Sequence, residues 1–262
     1  MNALPVALWA EALKMRRSKV PLFTALGFSM MPLVDGLFML ILKNPEAARS
    51  MGIISAKAQL TAVTADWPGF LGFLAQAVAA GGGVLFSIIT IWVFGREFSD
   101  HTVKELLALP TSRETIVTAK FIVIAVWALA ITLLIFGIGL VVGTLVVIPG
   151  GSRELLGTSF MDDLGAAALT LPLMSFVALL ASAGRGYLPP FGWTIFTMVL
   201  ANIAAILGWG GWFPWAIPAL FSGAAGPRAD QLGPHSYVIV LIAGLIGLAA
   251  TYGWWRTAGQ TR

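Results

Sequence analysis

Six long apolar runs constrain this chain more than any other feature of its sequence. A bilayer core about 30 Å thick needs about 20 apolar residues in each helix that crosses it. Runs of about that length lie at residues 20–42, 69–94, 121–148, 164–183, 191–208 and 236–255. Because backbone polar groups inside hydrocarbon must bond within the protein, only helices or a closed barrel can span it. The runs are continuous and do not alternate as barrel strands do. The sequence therefore predicts an all-α integral membrane protein with six transmembrane helices.

Little of the chain remains outside these runs. The sequence is 58% hydrophobic and 11% charged, against about 25% charged in an average soluble domain. We therefore expect one transmembrane domain over residues 1–262. The net charge of +4 does not indicate nucleic-acid binding, because the basic residues are scattered at the ends of the runs. The chain has no cysteine, so no disulfide or thiolate metal site is predicted.

The distribution of basic residues predicts the orientation in the membrane. With a cytoplasmic N-terminus, eleven of the sixteen Lys and Arg residues fall on the inner side of the six spans and five on the outer side. The outer five are Lys43, Arg49, Lys57, Arg153 and Arg228. Cytoplasmic loops carry the excess of positive charge. We expect a multi-pass protein with both termini in the cytoplasm.

Residues 3–17 predict a short amphipathic helix before the first span. Leu8 and Trp9 lie on its apolar side, whereas Glu11 and Lys14 lie on its polar side. A helix of this kind, followed by a basic run, is typical of one lying along the membrane surface. The first apolar run is too long for a signal-peptide core and has no small-residue cleavage site, so we expect no cleavable signal.

Two apolar regions contain features that ordinary spans lack. Asp35 is the one acid that the predicted spans place inside the membrane, where a functional role is the default hypothesis. Residues 209–226, WGGWFPWAIPALFSGAAG, are too apolar for an exposed loop and too broken by proline to span. Such a segment is tolerated at membrane depth when it is buried in protein or lines a cavity. We predict a re-entrant hairpin or two short half-helices there.

Residues 95–120, GREFSDHTVKELLALPTSRETIVTAK, form a charged island between the second and third spans. Thr102 and Glu105 have capping-box spacing, and Thr111 and Glu114 repeat it after Pro110. The pattern predicts two short helices, of which the second continues into the third span. An ordered helix with an apolar stripe and mixed charges is suited to binding another protein. The alternative is a loop helix that docks on its own bundle.

The island resembles the corresponding loop in permeases of the ATP-binding-cassette (ABC) type-two export family, in its bacitracin-resistance-like branch. The similarity lies in FGREFSDHTVKELLALPTSRETIVTAKF, and GRGYLPP and FPWAIPAL also resemble that branch. His101 departs from the family pattern, where Gly or Arg is expected. The resemblance extends over nearly the whole chain and implies residence in the bacterial cytoplasmic membrane.

The resemblance implies a functional role for the charged island and another for Asp35 and the segment 209–226. The island would be the coupling helix that binds the ATPase, through Arg96, Glu97, Asp100, Lys104, Glu105, Leu106, Leu107 and Pro110. The translocation path or outer gate would include Asp35, Trp212, Phe213, Pro214, Trp215, Pro218 and Phe221. The chain has no phosphate-binding Gly-x-x-x-x-Gly-Lys-Ser/Thr loop. ATP and Mg²⁺ would therefore be bound by a separate ABC ATPase, in two copies, serving this chain and a second permease chain, alike or different.

Other function classes remain open at this point. An intramembrane enzyme would need catalytic motifs, but the two histidines lie in different predicted loops and no His-Glu-x-x-His or Gly-x-Ser-x-Gly is present. A proton-coupled secondary transporter would need several buried ionisable groups, whereas the spans supply one. A permease that performs mechanical work is not separable from an exporter by sequence.

The aromatic, nearly uncharged spans suit amphipathic cargo such as a peptide antibiotic, a drug or a lipid.

Overall fold

The computed structural model describes residues 3–44, 64–108, 110–226 and 229–257. Throughout this part of the chain the regular elements are helical. Three of the outer basic residues, Arg49, Lys57 and Arg228, lie outside the described residues.

Among the described residues, six helices are long and apolar enough to cross a membrane, which confirms the predicted fold class. They are α2 (Val20–Lys43), α3 (Trp67–Ser99), α5 (Arg113–Leu145), α6 (Arg153–Ala183), α7 (Leu188–Ile206) and α9 (Pro234–Thr257). Three shorter helices accompany them: α1 (Ala3–Arg17), α4 (Val103–Ala108) and α8 (Ile217–Phe221). Each predicted run lies within or overlaps one long helix, because the length of an apolar run is a local property of sequence.

Prolines and glycines modify the long helices where the sequence places them. Pro172 lies in a 3₁₀ turn, Leu171–Leu173, inside α6. A π turn, Ala77–Gly81, interrupts α3 and ends on the first of three consecutive glycines. Short 3₁₀ and π turns inside an α-helix mark places where its regular hydrogen bonding is interrupted, and π turns are often found near functional sites. The link between α6 and α7 is short, so the two helices pack side by side.

Small residues bring the helices into close contact. A Cβ at Gly143 in α5 would overlap the Trp67 ring, and one at Gly139 would overlap Leu74. In α9, Gly244 lies against Pro172 and its carbonyl accepts a hydrogen bond from Ser175 Oγ at 3.1 Å. Within a membrane, helix association depends on such close packing, because lipid removes the hydrophobic drive between helices.

The fourth span begins earlier than the sequence analysis predicted, at Arg153 instead of residue 164. Ser152 caps its N-terminus by accepting a hydrogen bond from the Leu155 N–H at 3.1 Å. Asp163 consequently lies inside α6, where it is buried and neither carboxylate oxygen has a hydrogen-bond partner in the described residues. The expectation that Asp35 is alone among acids in the spans was wrong, because span boundaries drawn by hydropathy exclude polar helix ends.

Capping of the island helices also differs from prediction. Ser112, not Thr111, is the N-cap of α5, and its hydroxyl accepts from the Thr115 N–H at 3.2 Å. The Thr102 hydroxyl donates instead to Glu97 Oε2 at 2.8 Å. A hydrogen bond to a buried carboxylate is stronger than one between neutral groups. Thr102 therefore bonds Glu97 instead of forming the predicted capping box with Glu105.

The chain turns sharply between α3 and α4 at His101. Its backbone φ is +58°, in the left-handed region that glycine adopts without steric cost. The turn lies between Asp100 and Lys104, although their four-residue spacing would place them on one face of a continuous helix. Asp100 instead faces Arg96, at 3.8 Å between Oδ2 and Nη2.

We expect Gly143→Ala to destabilise the protein, by about 1–3 kcal/mol, because the added methyl overpacks against the buried Trp67 ring. Gly137→Ala in the same helix is the matched control, since a Cβ there meets nothing within 4 Å. The measurement is the midpoint of thermal unfolding of each purified variant in detergent. Equal midpoints for the two variants would contradict the packing argument.

Candidate functional site

The charged island ends on a buried group of charges that the sequence analysis did not predict. We call Glu11, Lys14, Glu97 and Lys120 the ion cluster. Lys120 is fully buried, and its Nζ donates to Glu11 Oε2 at 3.1 Å, Glu97 Oε1 at 3.0 Å and the Val93 carbonyl at 2.8 Å. An ammonium group has three protons to donate, so Lys120 is fully satisfied.

Lys14 completes the ion cluster from α1. Its Nζ donates to Glu11 Oε1 at 2.8 Å and to Glu97 Oε1 at 2.7 Å. Partial burial by itself would lower the pKa of Lys14, but the Glu11 and Glu97 carboxylates outweigh it and raise this pKa above its ordinary value. Two positive and two negative groups therefore meet with no net charge, and they join α1, α3 and α5.

Predicted coupling residues on α3 are divided between the interior and the surface. Glu97 is buried in the ion cluster. Arg96 is half-buried, with its guanidinium carbon 4.8 Å from the centre of the Trp92 ring. Asp100 is exposed.

The predicted coupling residues that follow lie on or beside α4. Lys104 and Glu105 are exposed, as is Pro110 after the helix. Leu106 and Leu107 are half-buried and pack against a cluster of buried apolar residues from the spans. Part of the apolar stripe thus contacts its own bundle, and the charged side of α4 faces outward.

A second connection attaches the island to the last span. Arg113 Nη1 donates to the carbonyls of Trp255 and Arg256 at 3.3 and 2.9 Å. Arg256 Nε in turn donates to Glu114 Oε1 at 2.7 Å. Basic groups at a helix C-terminus satisfy carbonyls that lack partners within the helix. The start of α5 is therefore held against the end of α9.

At the other end of the bundle, the segment 209–226 is folded back into the protein. It forms 3₁₀ turns at Gly210–Trp212 and Pro214–Ala216 before α8. Pro218 is buried, whereas Trp212 is exposed and stacks on His235 with ring centres 4.2 Å apart.

Two further predicted gate residues, Trp215 and Phe221, contact neighbouring spans. Trp215 packs edge-to-face on Trp193 with ring centres 5.5 Å apart, and Phe213 packs on Trp215. Phe221 lies against Gly165 of α6, and Pro214 is half-buried. Asp35 lies apart in α2, half-buried, with its Oδ2 unpartnered in the described residues.

A cavity of about 180 Å³ lies between this segment and spans α3, α6 and α7. None of the described residues that line it is charged. Four hydroxyl groups reach its wall, and each donates its proton to a backbone carbonyl of its own helix: Ser87, Thr170, Thr194 and Thr197. A hydroxyl whose proton is used in this way still offers acceptor lone pairs. The cavity is suited to an apolar molecule that carries hydrogen-bond donors.

Sequence reasoning missed the ion cluster and the buried Asp163. By position alone Lys120 is one of the basic residues scattered at the ends of the apolar runs, although it lies eight residues after Ser112, well within a helical stretch. Glu11 was placed on the polar side of an amphipathic helix, but that side packs against α5 and Glu11 is buried. The available signal was the presence of acids and lysines both in α1 and at the ends of two spans, α3 and α5, that the island connects.

We expect Lys120→Met to destabilise the protein by about 3–5 kcal/mol, because it leaves two buried carboxylates with Lys14 alone. Lys104→Met is the control, since Lys104 is exposed on α4. Thermal unfolding in detergent measures both. Addition of Glu97→Gln to Lys120→Met should recover part of the loss, and no recovery would contradict the pairing.

Comparison with known proteins is consistent with these features. Residues 7–201 match the family described as "ABC-2 family transporter protein". The chain is 26% identical, over 179 residues, to a protein of Bacillus licheniformis named "Bacitracin transport permease protein BCRB". That alignment covers 67% of this chain and 84% of the relative. No solved structure matches the chain. With the family match extending over most of its length, the chain belongs to the ABC-2 family of membrane transport proteins.

Proposed function

We propose that this chain is the permease subunit of an ATP-driven exporter and that α4 is its coupling helix. The observation that carries the proposal is the hydrogen bond from Thr102, just before α4, to Glu97 in the ion cluster. Through that bond a displacement of α4 acts on Glu97, and through Glu97 on Lys14 and Lys120. One surface helix is thereby connected to α1, α3 and α5.

The partner would be an ABC ATPase in two copies, each binding ATP and Mg²⁺. Lys104 and Glu105 on the exposed side of α4 supply charges of both signs for such a contact. Closure of the ATPases on nucleotide would bias the permease between two arrangements, which requires that the ATPase bind the two arrangements with different affinity. The orientation follows, with the island and both termini in the cytoplasm of a bacterial cell.

A second permease chain, identical or different, would complete the translocation path. Large apolar side chains on α2 and α7, including Phe23, Leu37, Leu188 and Phe196, are exposed in the isolated chain. Such faces are suited to contact either with lipid or with another permease. The close-packed glycines of α5 and α9 are already used within the chain.

The cargo would be an amphipathic compound such as a peptide antibiotic, a drug or a lipid. The uncharged cavity between α3, α6 and α7 supports this class, because its wall is apolar with hydroxyl acceptors. Export of bacitracin by this chain in particular is a narrower proposal, and it rests on the name of a relative with 26% identity.

We expect Glu105→Arg to weaken copurification of the ATPase by about tenfold, since reversal of one charge in a docked contact is worth on the order of 1–2 kcal/mol. The permease should still insert and unfold at the same temperature, because Glu105 is exposed. Glu154→Arg, an exposed charge at the opposite end, is the control. Full retention of the ATPase by the Glu105 variant would contradict the assignment of α4.

We expect Ala80→Trp to abolish protection of cells against the exported compound while the ATPase still copurifies. Ala80 lines the cavity, and an indole there would fill much of its 180 Å³. The measurement is the susceptibility of a deletion strain, complemented with each variant, to a panel of membrane-active antibiotics. Gly72→Trp is the control, since a Cβ on this glycine of α3 meets nothing within 4 Å and Gly72 lies outside the cavity wall. Undiminished protection by the Ala80 variant would contradict a role for the cavity.

A further inference from the structure

An open pocket of about 470 Å³ lies where the end of α1 meets the island end of α3. Three basic residues reach it, Lys14, Arg17 and Arg96, together with the single acid Asp100. Trp92 and Tyr187 supply aromatic walls. Aromatic and basic side chains together are typical of the level at which lipid headgroups lie.

The pocket has a positive charge that the described residues do not neutralise. Lys14 is compensated by Glu11 and Glu97 in the ion cluster. Arg96 has Asp100 as its acidic neighbour, at 3.8 Å. Arg17 is exposed, and its guanidinium has no hydrogen bond or ion pair with another side chain in the described ranges. One guanidinium is thus available for an anion, with Arg96 beside it.

An apolar groove of about 440 Å³ continues from the pocket between α2, α3 and α7. Trp92 and Tyr187 line both spaces, so the groove and the pocket are adjacent and share these two aromatic side chains as a wall. Its other walls are Val20, Ile88, Ile91, Leu188 and Phe191. Ile88 lies eight residues before Arg96 on α3, about 12 Å along the helix axis. The groove therefore extends from the charges toward the interior of the membrane.

We propose that the pocket and the groove together bind one anionic phospholipid of the leaflet on the island side. Its phosphate would lie between Arg17 and Arg96, and an acyl chain would lie against Ile88 and Phe191. Basic pockets between transmembrane helices bind anionic headgroups. A free anion would use only the basic pocket and a neutral lipid only the groove, whereas an anionic phospholipid uses both.

The bound lipid would hold together elements that are distant in the sequence. Arg17 belongs to α1, Arg96 to α3, and Tyr187 to the link before α7. Tyr187 lies close to the backbone of Gly95, where a Cβ would displace its ring. The lipid would therefore stabilise the position of α1 beside the ion cluster, independently of any ATPase.

The test uses the full chain purified in detergent, without ATPase, and native mass spectrometry during titration with phosphatidylglycerol or phosphatidylcholine. We expect one tightly retained phosphatidylglycerol and no retained phosphatidylcholine. Arg17→Gln should weaken retention about fivefold, the contribution of one basic side chain near a membrane surface. Arg16→Gln is the matched control, because Arg16 is exposed and does not line the pocket. Equal retention by the two variants, or equal retention of the two lipids, would overturn the proposal.

A second variant tests the groove. Ile88→Trp should abolish retention of phosphatidylglycerol by occupying the path of the acyl chain, while the basic residues stay in place. Glycerol 3-phosphate, which has the phosphate without the chains, should not compete at concentrations far above that of the lipid. Effective competition, or normal retention by the Ile88 variant, would show a simple anion site and overturn the lipid assignment. An unchanged unfolding temperature for Arg17→Gln without added lipid confirms that its loss of binding is not a loss of fold.

Discussion

The packing of helices at the island end of the protein depends on the ion pairs that the buried ammonium group of Lys120 forms with Glu11 and Glu97. A charge removed from water is tolerated only when it is paired and fully hydrogen-bonded. Lys120 meets that condition by drawing Glu11 and Glu97 to within hydrogen-bond distance, and Lys14 balances the second carboxylate. Because the pairs are buried together, they connect α1, α3 and α5 at this end of the bundle.

The opposite end is held by different forces. Tryptophans and phenylalanines of the segment 209–226 pack on one another and on α6 and α7, and glycines allow the close approach of helices. The cavity there is uncharged, and Asp163 lies buried in α6 without a partner among the described residues. Aromatic packing adapts to small displacements more readily than a paired charge does. The molecule therefore combines one end held by buried ion pairs with another end held by aromatic packing around an uncharged cavity. In the exporter proposed above, the first end would receive the movement of the ATPase and the second would accommodate the cargo.

The fold was predictable to a greater extent than the site. Each span appears in the sequence as an apolar run, and the two island helices appear as capped segments around Pro110. The predictions were wrong where a polar side chain had more than one possible hydrogen-bond partner. Thr102 bonds Glu97 instead of capping α4, and Ser112 instead of Thr111 is the N-cap of α5. Asp163 was excluded from its span because hydropathy alone set the boundary. The roles assigned to Lys104, Glu105 and Pro110 stay predictions, and their exposure is compatible with them.

The sequence by itself determined the helical class, the six crossings and the ordered island, since the hydrocarbon requirement and the capping signals act over a few neighbouring residues. The tertiary structure decided which charges meet. Glu11 and Lys120 are separated by 109 positions, and Lys14 and Glu97 by 83. Residues so far apart are brought together only by the packing of whole helices. The same packing placed Glu97 in the interior, where the sequence had suggested a surface contact, and set a basic pocket beside an apolar groove.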